Sequence, residues 1–220
     1  MKRHPVQAAV KRVLDPVLSA LLLVLLSPVF LVVTLVVLIG SGRPIFFVRP
    51  RAGRDGRPFR MIKFRTMVPD AIALGRELNL SEDPFGLVEN DPRMTRGGRF
   101  LRRTGLDEIP QLVNVLLGQM SIVGPRPDLV EQAAHYTEEE RKRLAVRPGI
   151  TGWSQIHGRE DMTWTERFRY DAWYLEHWSL WLDLRIVVRT FGQLFRPEPV
   201  PVQDALNIER AQGSSEEPKA

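Results

Sequence analysis

The chain has 220 residues, enough for one domain or for one domain plus an anchor. Cysteine is absent, which excludes disulfides, thiolate metal sites and cysteine nucleophiles and suits a reducing compartment. Net charge is +5 with a sequence pI near 10.0, so an anionic partner is expected, whether membrane lipid, a phosphate-bearing substrate or nucleic acid.

Residues 1–12 form a basic lead, and residues 13–40 a membrane segment. From Val17 to Ile39 there are 23 residues without an acid, base or amide. A straight helix of that length would reach roughly 35 Å, enough to cross a bilayer core. Yet Lys2, Arg3, Lys11 and Arg12 precede the run, and Arg43, Arg49, Arg51, Arg54, Arg57 and Arg60 follow it. Basic flanks mark the cytoplasmic side, and here both ends carry them. Ser27-Pro28 stands in the middle. Pro28 has no N–H for the Val24 carbonyl, and the Ser27 hydroxyl can turn back to the Leu23 carbonyl, so a bend is favoured there. A re-entrant hairpin reconciles these features; an ordinary tilted, kinked span is the alternative. A secretory signal is disfavoured by the length of the run and the Arg-rich segment after it.

Residues 41–196 read as a small cytoplasmic domain. Residues 44–68 alternate apolar and basic residues around Gly53 and Gly56, which predicts a two-stranded hairpin with Lys63 and Arg65 on one face. Residues 69–90 begin helical and become loop-like. Residues 107–118 predict a helix that starts at Asp107-Glu108-Ile109-Pro110 and stops at Gly118. Gly124-Pro125-Arg126-Pro127 is a rigid loop, and 128–144 a polar helix. Gly149–Gly158 is loop or strand, and 163–195 is helical. All five Trp lie between 153 and 181, a placement that suits a membrane–water interface or a small core. Residues 197–220 read as a mobile tail.

Asp107 and Glu108 are the sharpest chemical candidates. At a helix start, acids are stabilised by free N–H groups and by the helix dipole. An ionised carboxylate among arginines can attack phosphorus and form a covalent phosphoryl ester; plain helix capping is the competing role. Arg102, Arg126 and Arg159 stand beside Gly or Pro turns, and guanidinium forks suit diphosphate oxygens. Lys63 and Arg65 offer a face for phosphate or lipid headgroups. The four histidines show no metal-ligand spacing, and no P-loop, G-x-G-x-x-G or G-x-S-x-G is present. A diphosphate substrate usually brings Mg²⁺, for which Asp107 and Glu108 are the donors at hand.

Taken together the motifs resemble the small monotopic polyprenyl-phosphate phosphoglycosyl transferases, the bacterial sugar transferase family. The resemblance covers about residues 10 to 195. It rests on Lys11-Arg12-Val13-Leu14-Asp15, Ser27-Pro28, Lys63-Phe64-Arg65-Thr66-Met67, Asp91-Pro92-Arg93, and Leu101-Arg102-Arg103-Thr104-Gly105-Leu106-Asp107-Glu108-Ile109-Pro110-Gln111-Leu112. It continues through Met120-Ser121-Ile122-Val123-Gly124-Pro125-Arg126-Pro127, Arg147-Pro148-Gly149-Ile150-Thr151-Gly152-Trp153 and Gln155-Ile156-His157-Gly158-Arg159.

The resemblance implies an α-dominated α+β fold. It has a re-entrant helix–break–helix bent at Ser27-Pro28, a minor β-hairpin and interfacial amphipathic helices. It places the chain on the cytoplasmic face of the bacterial inner membrane, among its lipids, with both termini cytoplasmic. The implied reaction moves sugar-1-phosphate from a nucleotide diphospho-sugar, usually a UDP-sugar, to undecaprenyl phosphate. Asp107 matches the nucleophile and Glu108 its partner acid. Lys63, Arg102 and Arg159 match phosphate-meeting positions, Arg126 matches an arginine tied to nucleotide recognition, and Mg²⁺ is the metal. No nucleic-acid partner is implied, and a homodimer is compatible. The stretch Glu77–Asn90 looks longer than in compact members. Two rivals share parts of the pattern. A basic membrane-anchored binding protein would release no nucleotide, and a phosphohydrolase would cleave the donor without lipid.

Overall fold

The computed structural model describes residues 4–78, 91–158 and 162–193. The expected tail at 197–220, the loop-like stretch beyond Leu78 and Arg159 lie outside the described residues. Helix α1 (Pro5–Leu25) opens with Pro5 in its first turn, where a missing N–H leaves no bond unmade. After Leu26 the chain enters α2 (Ser27–Ser41), and the two axes are bent by 65°. Among the described residues no single helix is long and apolar enough to cross a membrane; only this bent pair passes that test together. The sequence places the Ser27 hydroxyl on the Leu23 carbonyl, but Ser27 Oγ donates instead to the Val24 carbonyl at 2.8 Å. That is the carbonyl Pro28 deprives of an N–H, so the hydroxyl fills the gap the proline creates.

Helix α1 has two unlike faces. Val6, Val10, Val13, Val17, Leu21 and Val24 are exposed, while Lys11, Asp15 and Ser19 are buried, four residues apart along one stripe. Lys11 Nζ donates to Asp183 Oδ2 at 2.6 Å, Ser121 Oγ donates to Asp15 Oδ2 at 2.7 Å, and Ser19 Oγ donates to the Leu112 carbonyl at 2.5 Å. Lys11, counted above with the basic flank, is therefore committed to an internal ion pair instead of facing lipid phosphate.

Strands β1 (Phe46–Ala52) and β2 (Pro58–Phe64) form the expected antiparallel hairpin, with Phe46 opposite Phe64 and Ala52 opposite Pro58. Its tight turn holds Asp55 and Gly56 at φ 57° and 74°. Helix α3 (Ala71–Glu77) precedes α4 (Arg96–Thr104), which Thr95 caps by accepting from the Gly98 N–H at 2.9 Å. Gly98 has no alternative: a Cβ there would fall 1.9 Å from the Thr66 carbonyl oxygen.

Helix α5 (Gln111–Leu116) leads to β3 (Ser121–Val123), which pairs in parallel with β4 (Gly149–Thr151). The single polar helix expected over 128–144 is broken into α6 (Val130–Ala134), α7 (Glu138–Arg141) and a 3₁₀ turn over Lys142–Ala145. Thr137 starts α7 afresh through a capping box with Glu140, a local signal that outweighs continuation of α6. A short α8 (Gln155–Gly158) is followed by α9 (Trp164–His177) and α10 (Leu180–Gln193). Tyr174, Trp178, Leu182 and Ile186 pack with Val123 and Ile156 as the largest buried cluster. Trp178 thus serves the core, whereas Trp181 is 66% exposed and lines up with exposed Leu184, Val188 and Phe191 as one apolar stripe of α10.

The bend is testable because the native chain has no cysteine. Single cysteines at His4→Cys and Arg43→Cys should label from the same side of a proteoliposome. With Ser27→Ala and Pro28→Ala added, the segment is expected to straighten and the two labels to part. Same-side labelling in both backgrounds would mean that Ser27-Pro28 does not set the bend.

Candidate active site

Helix α4 ends at Gly105, whose φ of 68° turns the chain into a 3₁₀ turn over Leu106–Glu108. A residue with a Cβ is strained in that conformation, so glycine suits the turn. Asp107 and Glu108 sit in this turn, ahead of the six-residue α5, with Pro110 as the α5 N-cap. The expected helix over 107–118 is thus shorter and starts later. The dipole of so short a helix is no longer the main influence on the acids.

Side chains from elsewhere in the fold take that role. Lys63, facing inward from β2, donates from Nζ to Glu108 Oε1 at 2.6 Å, and both side chains are largely buried. Arg126 Nη1 approaches the same oxygen at 3.5 Å from the rigid loop. Burial by itself would raise the Glu108 pKa; Lys63 and then Arg126 outweigh it and hold the carboxyl well below its usual range. Asp107 goes the other way. Burial, assisted by the Glu108 charge, lifts its pKa to about 6 against the pull of Lys63, Arg102 and Arg126. Burial also lowers the Lys63 pKa, against the pull of Glu108. Among the described residues no group donates a hydrogen bond to the Asp107 carboxylate, although the charges of Lys63, Arg102 and Arg126 act on it.

Lys63, Arg102, Arg126, Asp107 and Glu108 are therefore electrostatically joined in one place. Arg102 also reaches Met94 Sδ with Nη1 at 3.6 Å. Arg65 does not join them. Strand β2 ends at Phe64, so the alternation that would align Arg65 with Lys63 stops. The Arg65 guanidinium turns to the end of α2, donating to the Ser41 carbonyl and, at 2.8 Å, to the Gly42 carbonyl. Terminal helix carbonyls without N–H partners attract a cation.

Residues 6–197 match the family model described as bacterial sugar transferase. A sugar transferase of Bacillus subtilis, EpsL, named as uncharacterised, is 38% identical over 94% of this chain and 97% of its own length. The chain belongs to the bacterial sugar transferase family. Two further relatives are longer proteins. The Escherichia coli UDP-glucose:undecaprenyl-phosphate glucose-1-phosphate transferase is 42% identical over 84% of this chain and 40% of its own length. The Salmonella typhimurium undecaprenyl-phosphate galactose phosphotransferase is 39% identical over the same shares of the two chains. The transferase thus spans well under half of these longer relatives.

Two features of the sugar transferase escaped the sequence reading. Arg49 and Arg51, counted there as basic flank, lie on the same hairpin face as Lys63, since Phe47, Arg49 and Arg51 stand opposite Lys63, Met61 and Phe59. Arg51 is buried. The signal was the two-residue period itself, legible once register is known. The second feature is a buried charge cluster of Asp128, Arg143 and Asp171 behind the Arg126 loop. Its members are far apart in sequence and carry no shared motif.

Because Lys63 compensates a largely buried carboxylate, Lys63→Met should destabilise the transferase by about 3 kcal/mol, in the range for breaking a buried ion pair. Chemical denaturation of detergent-solubilised protein would read this. A loss under about 1 kcal/mol would show a solvent-screened contact instead.

Proposed function

We propose that this sugar transferase moves a sugar-1-phosphate group from a UDP-sugar to undecaprenyl phosphate at the cytoplasmic face of the bacterial inner membrane, with both termini cytoplasmic. The observation that carries the reading is the split fate of adjacent acids: Glu108 is neutralised by Lys63 and Arg126, while Asp107, without a hydrogen-bond donor among the described residues, is raised in pKa by burial amid the same charges. The named reactions of the Escherichia coli and Salmonella typhimurium relatives supply the substrate classes. The bent α1–α2 pair and the exposed apolar stripe of α10 support residence at a membrane surface.

In this reading an Asp107 carboxylate oxygen attacks the phosphorus bonded to the sugar. The bond from that phosphorus to the bridging oxygen breaks, and UMP leaves with the electron pair. An oxygen of the lipid phosphate then attacks the phosphosugar–Asp107 ester. The bond to Asp107 breaks, restoring the carboxylate and giving polyprenyl-diphospho-sugar. Lys63, Arg102 and Arg126 offset the charge on the diphosphate, the main lever in phosphoryl transfer. Arg159, by its motif, would join them.

A magnesium ion fits the donor set. Lys63 and Arg126 both approach Glu108 Oε1, so Oε2 and the Asp107 carboxylate remain as hard oxygen donors. Among the described residues no group of three or more His, Asp or Glu side chains could hold a metal. That suits Mg²⁺, which takes one or two carboxylates and completes its shell with water and substrate phosphate. When bound, Mg²⁺ supplies charge neutralisation at the phosphate oxygens.

Purified protein in nanodiscs, given Mg²⁺, undecaprenyl phosphate and a panel of UDP-sugars, should release UMP with one sugar. Asp107→Asn should abolish this while leaving fold and membrane binding intact. Release of UDP would mean ordinary glycosyl transfer, and lipid-independent cleavage would mean hydrolysis. The pH profile carries a separate test. Asp107 attacks only when deprotonated, so its raised pKa puts the acid limb at about pH 6. Below that, UMP release should fall roughly tenfold per pH unit. Removing a neighbouring cation with Arg126→Ala should move the limb to higher pH. A limb near the ordinary aspartate value in the native enzyme would contradict a buried nucleophile.

A further inference from the structure

The buried charge cluster behind the Arg126 loop has no part in the chemistry above, yet its centre touches that loop directly. Arg143 lies in the 3₁₀ turn Lys142–Ala145 and is 5% exposed. Its Nη2 donates to the Arg126 carbonyl at 2.9 Å and lies 2.7 Å from Asp171 Oδ2. Its Nη1 donates to Asp128 Oδ2 and, at 3.0 Å, to the Tyr136 hydroxyl. The guanidinium is also 4.9 Å from the Phe168 ring centroid. Ser154 Oγ holds the other oxygen of Asp171 at 2.9 Å, and Arg167 Nη1 stands 4.0 Å from Asp128 Oδ1. Two buried acids thus face two cations.

The loop needs such an anchor. Pro125 and Pro127 flank Arg126, and neither has an N–H to donate. Gly124 donates its N–H to the Thr151 carbonyl at 2.9 Å, and beyond it the loop is tied through carbonyls. Pro125 accepts from the Gly149 N–H and Asp128 from the Ala52 N–H, each at 2.9 Å, and Arg143 takes the carbonyl of Arg126 itself. At its other end, Arg126 reaches Glu108 Oε1.

We propose that Arg143 is a positioning residue for the transfer reaction: it fixes the backbone of Arg126 so that the Arg126 guanidinium meets the donor diphosphate beside Asp107 and Glu108. The proposal rests on the reading of Arg126 as a nucleotide-contacting residue. The fork is essential to it. The two Nη atoms serve different partners, and the single ammonium of lysine cannot span them.

The test is a double-substitution cycle read by UDP binding in calorimetry, on the full chain in nanodiscs, with donor KM and kcat alongside. Arg143→Lys keeps the charge and loses the fork; it should weaken UDP binding and raise the donor KM about tenfold each, with kcat within about threefold. In an Arg126→Ala background the same substitution should change UDP binding less than about twofold, because the group it positions is gone. A merely structural role predicts an equal loss in both backgrounds, and that result would overturn the proposal. So would unchanged UDP binding in Arg143→Lys. Should Arg143→Lys fail to fold, Tyr136→Phe, which removes one donor–acceptor arm, goes through the same cycle with the same criteria. An Arg126→Ala variant that binds UDP normally sinks the nucleotide role of Arg126, and with it this proposal. Release of UDP in place of UMP during turnover would sink only the phosphosugar chemistry, since the binding cycle does not depend on which bond breaks.

Discussion

Glu108 is the point at which three distant stretches of chain are forced together. A carboxylate loses hydration when it is taken from water, and it stays ionised only if cations replace that hydration. The nearest such cations come from β2 and from the loop after β3, so satisfying Glu108 fixes the hairpin and the rigid loop against the turn that follows α4. The rest of the site inherits its shape from this contact. Asp107, one residue away, shares the burial but receives no direct donor among the described residues, and its pKa moves upward while that of its neighbour moves down. Two acids of nearly identical chemistry thereby become different groups, one held ionised by its cations and one whose proton affinity is raised by burial.

A second layer of the same logic lies behind the first. The Asp128–Arg143–Asp171 cluster is buried, and only with the partly buried Arg167 beside it do two cations face two acids. Such clusters add little stability against a well-packed apolar core, but breaking one partner is costly. Their value is in geometry. Here the geometry that is held is a carbonyl in a loop whose prolines cannot be held by N–H groups.

Much of this was legible from the residues alone. The alternation of 44–68 predicted the hairpin, because period two is imposed by the pleat whatever surrounds it. Ser27-Pro28 predicted the bend, because a missing N–H is a local fact. Lys63, Arg102, Arg126 and the acid pair were named from motifs, and they meet. Arg65 was misplaced because alternation holds only while the strand lasts, and it lasts to Phe64. Lys11, Arg49 and Arg51 were read as basic flanks of the membrane segment, since a long basic side chain in sequence looks the same whether its partner is lipid, water or the protein interior. The helix expected over 128–144 failed on Thr137, whose capping box with Glu140 starts a new helix where periodicity would have continued the old one. For Lys11 and Arg65 what the sequence hid was a partner far away along the chain.

The bond from Ser19 to the Leu112 carbonyl joins the apolar helix to the first turn of α5, a few residues past Asp107 and Glu108. With Asp15 and Lys11 it makes α1 a rigid strut, not a flexible tether. A tethered domain would sample many heights above a bilayer, and in the reaction proposed above Asp107 would meet a lipid-borne phosphate only in a fraction of them. A strut sets one height. In the membrane placement proposed above, the distance from Asp107 to the headgroup plane would follow from the fold, and any drift in the depth of α1 would carry the Leu106–Glu108 turn along with it.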